Sequence, residues 1–238
     1  MKLGFYKKGL LFFAIILIFL TSSCKNQKQM SGREESLLTQ EFHTKEIPLD
    51  SLLYLNDLLT YYDDQYCVKG EEYWPVVFLD MNTKKLVEKP NRSTIKVGLE
   101  PTPCVDGKIE FDDHMILEIL KDGYNTEIEQ VITEVDSIPS FVKKQFLSYG
   151  EDPNYAIGAY GNGVWICSKK DDELSNLNIY IYQVVIGFIE SARAYSQLAY
   201  FKSIDELSEE EFLELKQEFG FHLSFKYTDE EVKFDFGY

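Results

Sequence analysis

Apolar residues recur at intervals of three and four along the most regular stretch of the chain, from Asn178 to Phe201. This spacing predicts a long helix packed on a sheet. The repeating positions are Ile181, Val185, Phe188, Ala192, Tyr195 and Ala199. Just after this stretch, Ser208 and Glu211 have the spacing of a capping box, which predicts another helix that starts there and ends at Gly220.

Alternating apolar and polar positions indicate strands elsewhere. They predict a hairpin around Met81–Lys84 and strands in "HMILEILKDG", "YNTEIEQV" and the tail "HLSFKYTDEEVKFDF". Asn162 and Gly163 form a dipeptide suited to a type I′ turn, so a second hairpin is expected there. Two shorter helical patterns begin near Pro48 and Ser137.

These elements predict an α+β fold in which a mixed or antiparallel sheet is packed by the long helix, beside a smaller N-terminal subdomain of one helix and one hairpin. Prolines 90, 101 and 103 interrupt the pattern, so the boundary between the two parts is expected near residues 104–110. The expected organisation is a signal peptide over 1–23, a tether over 24–47, the subdomain over 48–109 and the main domain over 110–238.

The N-terminal residues have the layout of a secretory signal, because three lysines precede the uncharged apolar run Gly9–Leu20. That run is too short for a transmembrane helix, which needs about 20 residues. Small residues then lead to Cys24 in "TSSC", which resembles the looser lipoboxes of Bacteroidota-type bacteria, whose cysteine is diacylated and becomes the new N-terminus. The alternatives are an ordinary cleaved signal with a free thiol at Cys24 and an uncleaved N-terminal anchor.

Lipidation of Cys24 would fix where the chain resides, since two or three acyl chains hold a protein at a membrane almost permanently. Residues 25–47 are polar and lack sustained periodicity, so a flexible tether is expected there. Acidic residues directly after the cysteine would resemble a surface-export signal of these bacteria, and none follow Cys24. We therefore expect an outer-membrane lipid anchor with the folded part on the periplasmic face.

The charge of the chain narrows the range of partners. Its formal net charge is −16, and a strongly acidic protein is repelled by nucleic acid and by anionic membrane surfaces. Nucleic acid is therefore not an expected partner.

Three cysteines follow Cys24 in the sequence. In an oxidising periplasm Cys67 and Cys104 are the expected disulfide, because both lie near breaks in an N-terminal region with little obvious core. Three cysteines allow three pairings, so the other two remain open. Cys167, inside the apolar run "GVWICS", is expected to be a small buried residue.

The sequence offers little that resembles a catalytic or metal site. His114 follows two aspartates, but on a strand only Asp112 and His114 would share a face, and two ligands do not make a metal site. No HExxH, calcium-loop or GxSxG pattern occurs. The glycines of "GAYGNG" lack the lysine and the following helix of a phosphate-binding loop. No catalytic residue, metal or cofactor is expected.

Aromatic residues are frequent, with 16 tyrosines and 17 phenylalanines. Exposed aromatic side chains stack on sugars or contact partner proteins, and "YIYQ" and "LTYYDDQY" are the clusters to examine. Packing in the core is the alternative interpretation.

The stretch from about Asp112 to Lys226 resembles the periplasmic domain of ExbD-type biopolymer transporters in its Bacteroidota form. The similarity lies in "ILEILKDG", "IPSFVKKQFL", the long helix "IYIYQVVIGFIESARAYSQLAYF" and the acidic "IDELSEEEFLELKQEFGFHLSF". Members of that family carry a protonatable aspartate in an uncleaved transmembrane helix, whereas residues 3–23 contain no acid, so proton conduction is not expected here. The resemblance implies a domain that associates with itself or with envelope proteins near the peptidoglycan.

Two functions follow as expectations. The first is a lipid-anchored periplasmic interaction protein, accessory to an envelope transport or motor complex. The alternative is a lipoprotein that binds a glycan or peptide on exposed aromatic residues. An uncovered apolar edge strand would favour the first, and a contiguous aromatic patch the second. A pocket that joins a histidine to two carboxylates would favour an enzyme.

Overall fold

The computed structural model describes residues 30–39, 43–69, 73–100, 115–123, 125–149, 151–152, 154–156 and 162–228. Within these ranges the helices are α1 (Gly32–Ser36), α2 (Leu55–Tyr62), α3 (Ile138–Leu147), α4 (Leu174–Ala199) and α5 (Glu209–Glu218). The strands are β1 (Thr44–Glu46), β2 (Trp74–Asp80), β3 (Lys85–Val87), β4 (Thr94–Gly98), β5 (Ile116–Asp122), β6 (Asn125–Ile128), β7 (Val131–Thr133), β8 (Gly163–Ser168) and β9 (Leu223–Tyr227). Short 3-10 helices cover Leu49–Ser51, Val135–Ser137 and Ile204–Glu206, and a π-helical turn covers Asp63–Val68.

The larger sheet has the strand order β7-β6-β5-β8-β9. Strands β5, β6 and β7 follow one another as antiparallel neighbours, whereas β8 runs parallel to β5, and β9 runs parallel to β8. The switch from antiparallel to parallel pairing follows from the length of the connections, because parallel neighbours need a long crossover. Helix α3 lies in the connection from β7 to β8, and helices α4 and α5 lie in the connection from β8 to β9.

Helix α4 packs against both sheets, which confirms the predicted long helix and the α+β fold class. The buried face follows the apolar repeat from Ile181 to Ala192, and Leu177, Ile181 and Val185 are almost inaccessible to solvent. The last position of the repeat, Ala199, is exposed. In the core beside α4, the Phe188 ring lies 5.3 Å from that of Phe146 on α3, centroid to centroid. The periodic pattern therefore identified the main core element correctly.

The start of α5 has the capping box that the sequence predicts. The Glu211 amide donates to the Ser208 hydroxyl at 3.2 Å, and the Ser208 amide donates to the Glu211 carboxylate at 2.7 Å. The flanking Leu207 and Phe212 are both buried, as a hydrophobic staple requires. The helix ends at Glu218, two residues before the predicted stop.

The smaller sheet is built around β2. On one side β2 pairs with antiparallel β4, and on the other it pairs with parallel β1 and antiparallel β3. The pairing of Asp80 with Lys85 closes the hairpin that was predicted around Met81–Lys84. This sheet is therefore mixed, like the larger one.

Backbone hydrogen bonds join the two sheets. The amide of Glu100, just after β4, donates to the carbonyl of Leu223 on β9 at 2.7 Å, and the Ser224 hydroxyl donates to the Glu100 carbonyl at 2.9 Å. All described residues from Gly32 onward belong to one compact unit. The expected subdomain boundary near 104–110 lies outside the described residues.

The expectation of a flexible tether over 24–47 is wrong for the part of this segment that the structure describes. Residues 32–36 form α1, and Leu37 and Leu38 are 2% and 0% exposed. The Leu38 carbonyl accepts a hydrogen bond from the Gly98 amide at the end of β4 (2.8 Å). Two adjacent leucines give no periodic signal, yet both are buried in the core directly after this short helix.

Two local predictions near turns were also wrong. Helix α2, which was expected to begin near Pro48, starts at Leu55 instead. The Asp57 carboxylate accepts from the amides of Leu53 and Tyr54 and fixes the helix start there. The expected hairpin at Asn162 and Gly163 does not form, because β5 and β9 occupy both edges of β8.

Asn162 has a packing role instead of a turn role. It is 1% exposed, and its side-chain amide donates to the carbonyl of Gln145 on α3 at 3.1 Å. The side chain therefore links the start of β8 to helix α3.

Candidate interaction sites

The residue on which the membrane assignment depends, Cys24, lies outside the described residues, as do Cys104, Asp112 and His114. Cys67 is disulfide-bonded, and its pairing with Cys104 stays a prediction.

Cys167 is a free thiol that is 4% exposed. Burial raises its pKa to about 12. A thiol with such a pKa carries almost no thiolate near neutral pH, so Cys167 is unreactive. This agrees with its predicted role as a small buried residue.

The histidines do not assemble a catalytic or metal site in the described part of the chain. His43 is exposed at the start of β1. His222 has one carboxylate partner, Glu100, at 3.2 Å, and its ring lies edge-on to Trp74. No group of three or more potential metal ligands occurs among the described residues.

A buried polar cluster lies at the carboxyl ends of β5 and β8. The Asp172 carboxylate accepts from the Lys121 ammonium at 2.8 Å, and the Ser168 hydroxyl donates to its other oxygen. Burial alone would raise the pKa of Asp172, but these hydrogen bonds outweigh it and leave the pKa below its ordinary value. These hydrogen bonds fix the loop before α4. Because Ser168 is fully buried, its hydroxyl is not accessible as a nucleophile.

Strand β7 forms an uncovered apolar edge of the larger sheet. Val131 and Ile132 are 54% and 69% exposed, and no strand pairs with the outer side of β7 in the described ranges. The turn before it contains Glu129 and Gln130, whose φ angles of 51° and 62° are those of a type I′ turn.

The geometry of this turn determines which backbone groups of β7 face outward. In a two-residue hairpin the pair next to the turn, here Ile128 and Val131, exchanges hydrogen bonds, and the following pair does not. The N–H and C=O groups of Ile132 therefore point away from β6. Edges of this kind are usually protected by lysine, proline or a bulge, and the sequence Val-Ile-Thr contains no lysine or proline.

A second exposed surface lies near the C-terminal end of α4. We call Tyr149, Tyr195 and Tyr200 the aromatic cluster. The rings of Tyr195 and Tyr200 are 6.3 Å apart, and Tyr149 is 46% exposed. Burial raises the pKa of Tyr149, and the neighbouring Tyr195 and Glu218 raise it further. Burial also raises the pKa of Tyr195, with Glu218 and Glu214 adding to the shift. Acidic side chains therefore border the aromatic cluster.

Phe201 follows α4 directly and is 83% exposed. Its φ of 57° lies in the left-handed region, which bulky residues seldom adopt. At this position after a helix glycine is the usual residue. Leu198, near the end of α4, is also an exposed apolar residue, at 67%.

The aromatic clusters selected from the sequence are packed and not displayed. In "YIYQ", Tyr180 and Tyr182 are 5% and 3% exposed on α4. In "LTYYDDQY", Tyr62 is buried, and its ring lies 6.0 Å from that of Tyr66. Sequence reasoning missed Tyr149, which stands singly in the chain, and Phe201, which directly follows Tyr200 at the end of the apolar pattern of α4.

None of the helices in the described ranges has the length and apolar content needed to cross a bilayer. No family model matches the chain, and neither a curated protein nor a solved structure matches it.

Proposed function

We propose that the chain is a lipid-anchored interaction protein of the cell envelope. In this proposal Cys24 holds it in the outer membrane, its folded part lies on the periplasmic side, and it is accessory to a transport or motor complex there. The observation that supports this most directly is the uncovered apolar edge of β7, because an edge strand can pair with a strand of another protein.

The chemistry of the β7 edge indicates what a partner must offer. Ile132 presents an outward N–H, an outward C=O and an exposed apolar side chain, while Glu129 and Glu134 stand close by in the sequence. An extended segment with an apolar residue and basic neighbours would complement it. Because β7 has three residues, the contact would be small, which suits an accessory subunit that binds transiently.

Photocrosslinking in living cells tests the edge directly. A photoreactive amino acid at Val131 should capture a subunit of an envelope transport or motor complex. The same amino acid at Leu213, which is 49% exposed on α5, is the matched control and should not. The edge proposal is wrong if Val131 captures no such subunit, or if Leu213 captures it equally well.

Substitutions at Ile132 separate strand pairing from a general apolar contact. Ile132→Pro removes the outward N–H, and proline is tolerated on an edge strand. Ile132→Val keeps both the N–H and an apolar side chain. We expect Pro to abolish crosslinking from Val131 and Val to preserve most of it. Equal yields from the two variants would rule out pairing through the backbone.

The membrane anchor is tested separately with Cys24→Ser. Without the thiol no acyl chains can be attached, so the protein should be lost from the outer-membrane fraction and its precursor should remain unprocessed. Unchanged partitioning and processing would contradict the anchor without bearing on the β7 edge.

The aromatic cluster supports a second candidate function, the binding of a glycan. Tyrosine rings stack on sugar faces, and the bordering carboxylates of Glu214 and Glu218 accept hydrogen bonds from sugar hydroxyls. Cosedimentation with purified peptidoglycan is the test. Tyr149→Ala and Tyr200→Ala should each reduce binding, whereas Tyr54→Ala, at a distinct exposed tyrosine, should not. Absence of sedimentation with wild-type protein would exclude this candidate.

A further inference from the structure

A cavity of about 380 Å³ lies between the start of α4, strand β3 and the segment before α2. Five leucines contribute to its apolar wall, namely Leu49, Leu52, Leu53, Leu86 and Leu174. Small-molecule sites typically have volumes of roughly 300 to 1,000 Å³, with mostly apolar walls and a few polar groups. The cavity therefore has the size and character of a ligand site.

The backbone holds the cavity open without a ligand. The Leu174 amide donates to the Leu53 carbonyl at 2.9 Å, and the Leu55 amide donates to the Asp172 carbonyl at 2.9 Å. These two bonds tie the start of α4 to the segment before α2, so opposite walls are fixed relative to each other. A preformed site loses little conformational freedom on binding.

Asn178 is the polar group that gives this cavity a specific chemistry. It lines the cavity and is 9% exposed, and its carboxamide oxygen has no hydrogen-bond partner among the described residues. That oxygen is shielded from the cavity, so the carboxamide must rotate about its Cβ–Cγ bond, a soft torsion, to present it to a ligand. Buried polar atoms are rarely left without a partner, because the missing hydrogen bond destabilises the fold. A leucine here would fit the apolar surroundings, so an asparagine needs another explanation.

We propose that this cavity binds a small neutral ligand with a compact apolar body and one hydroxyl or amide group, which hydrogen bonds to the Asn178 carboxamide. A carboxamide both donates and accepts, and hydroxyl and amide groups do the same. A saturated acyl chain would fill the apolar part and leave Asn178 without a partner, so it fits less well. This inference is independent of the proposed function.

Charge around the cavity disfavours an anionic ligand. Glu173 is on the wall, and the Asp50 amide, next to Leu49, donates to the Glu88 carboxylate at 3.1 Å. The Asp50 side chain raises the pKa of Glu88, as two carboxyl groups in proximity do. An anionic ligand would be repelled by these groups.

A matched pair of probes tests the role of Asn178. 2-Naphthol and 2-methylnaphthalene have nearly the same shape, but only the naphthol forms hydrogen bonds. Calorimetric titration of the full chain gives a dissociation constant for each probe. The quantity to compare is the dissociation constant of 2-methylnaphthalene divided by that of 2-naphthol. A hydrogen bond to a neutral group contributes about two- to tenfold in affinity. Asn178→Leu should lower that ratio by this factor, and an unchanged ratio would overturn the proposal.

A second pair of variants tests whether the probes occupy this cavity. Leu52→Trp fills it and should abolish binding of both probes, whereas Leu198→Trp, on the exposed surface of α4, should leave binding unchanged. 2-Naphthoate, which carries a carboxylate in place of the hydroxyl, should bind more weakly than 2-naphthol. Binding that survives Leu52→Trp, or no binding to wild-type protein, would overturn the proposal.

Discussion

The carboxylate of Asp80 joins two turns at the end of β2. Its oxygens accept from the amides of Asn82 (2.9 Å) and Thr83 (3.2 Å), from the Asn91 side chain (2.8 Å) and from the Ser93 hydroxyl (3.0 Å). The hydrogen bond from Asn91 and the other three lower the pKa of Asp80 to about 2. One side chain therefore holds the β2–β3 turn against the β3–β4 loop.

A pKa that is lower in the folded state than in the unfolded state gives a defined pH dependence. The stabilisation by Asp80 is complete above the unfolded-state pKa, near 4, and is lost as the pH falls through about 2. Asp80→Asn should therefore lower the melting temperature at pH 7, and its difference from wild type should shrink between about pH 4 and pH 2. Thermal unfolding at stepped pH values measures both effects.

The control for Asp80 is Glu151→Gln at an exposed carboxylate. It should leave the melting temperature nearly unchanged across the same range. A constant difference between Asp80→Asn and wild type at all pH values would show that the carboxylate charge is not responsible.

At the scale of elements, helices α3 and α4 lie close together at Gly187. A Cβ atom at this position would lie 2.7 Å from the Val142 Cβ and 2.8 Å from the Pro139 Cα. Alanine in a helix is normally favoured over glycine by about 1 kcal/mol. Here the added methyl group meets backbone atoms that cannot move aside, so the clash outweighs the propensity.

We therefore expect Gly187→Ala to lower the free energy of unfolding by roughly 1 to 2 kcal/mol, within the range for overpacked cores. Urea denaturation measures the loss. Gln197→Ala, on an exposed position of the same helix, should change the free energy of unfolding by less than about 0.5 kcal/mol. An increase in the free energy of unfolding for Gly187→Ala would contradict this expectation, because it would mean that α3 can move away from the added methyl group without loss of stability.

A type I′ turn that was predicted but does not form, and another that forms but was not predicted, show why some elements could not be read from the sequence. Asn162 and Gly163 are the dipeptide that type I′ turns prefer, but Gly163 begins β8, which is paired on both sides by strands distant in sequence. The turn that does form contains Glu129 and Gln130, which lack the usual signal. Long-range pairing overrides a local preference in the first case and imposes an unusual turn in the second. The uncovered edge of β7 was missed for this reason.

At the scale of the whole molecule, regular patterns predicted the fold and irregular positions determine the candidate sites. The apolar repeat of α4 and the capping box at Ser208 were predicted because each signal is contained in a short stretch. Ile132 and Phe201 could not be identified as exposed, since exposure depends on which distant segments cover them. Asn178 could not be identified as a site residue either, since three separate segments of the chain form the cavity around it.

An ion pair between Arg193 and Glu34 joins the N-terminal helix α1 to α4. The Arg193 guanidinium on α4 donates two hydrogen bonds to the Glu34 carboxylate, at 2.7 and 2.8 Å. The Glu34 side chain is 3% exposed and that of Arg193 is 30% exposed. Arg193→Ala would take two charge-assisted bonds from a buried carboxylate, whereas Glu34→Ala would leave a guanidinium that water can reach.

We therefore expect Arg193→Ala to cost roughly 3 kcal/mol, the lower end of the range for a broken buried ion pair, and Glu34→Ala to cost less. Urea denaturation gives both values, with Arg92→Ala, at an exposed arginine, as the control near zero. Hydrogen exchange adds a local measurement, because amides of α1 should lose protection in Arg193→Ala. Equal costs for both variants, with α1 still protected, would show that its other contacts, among them buried Leu37 and Leu38 and the Arg33–Glu209 ion pair, hold this helix without Arg193.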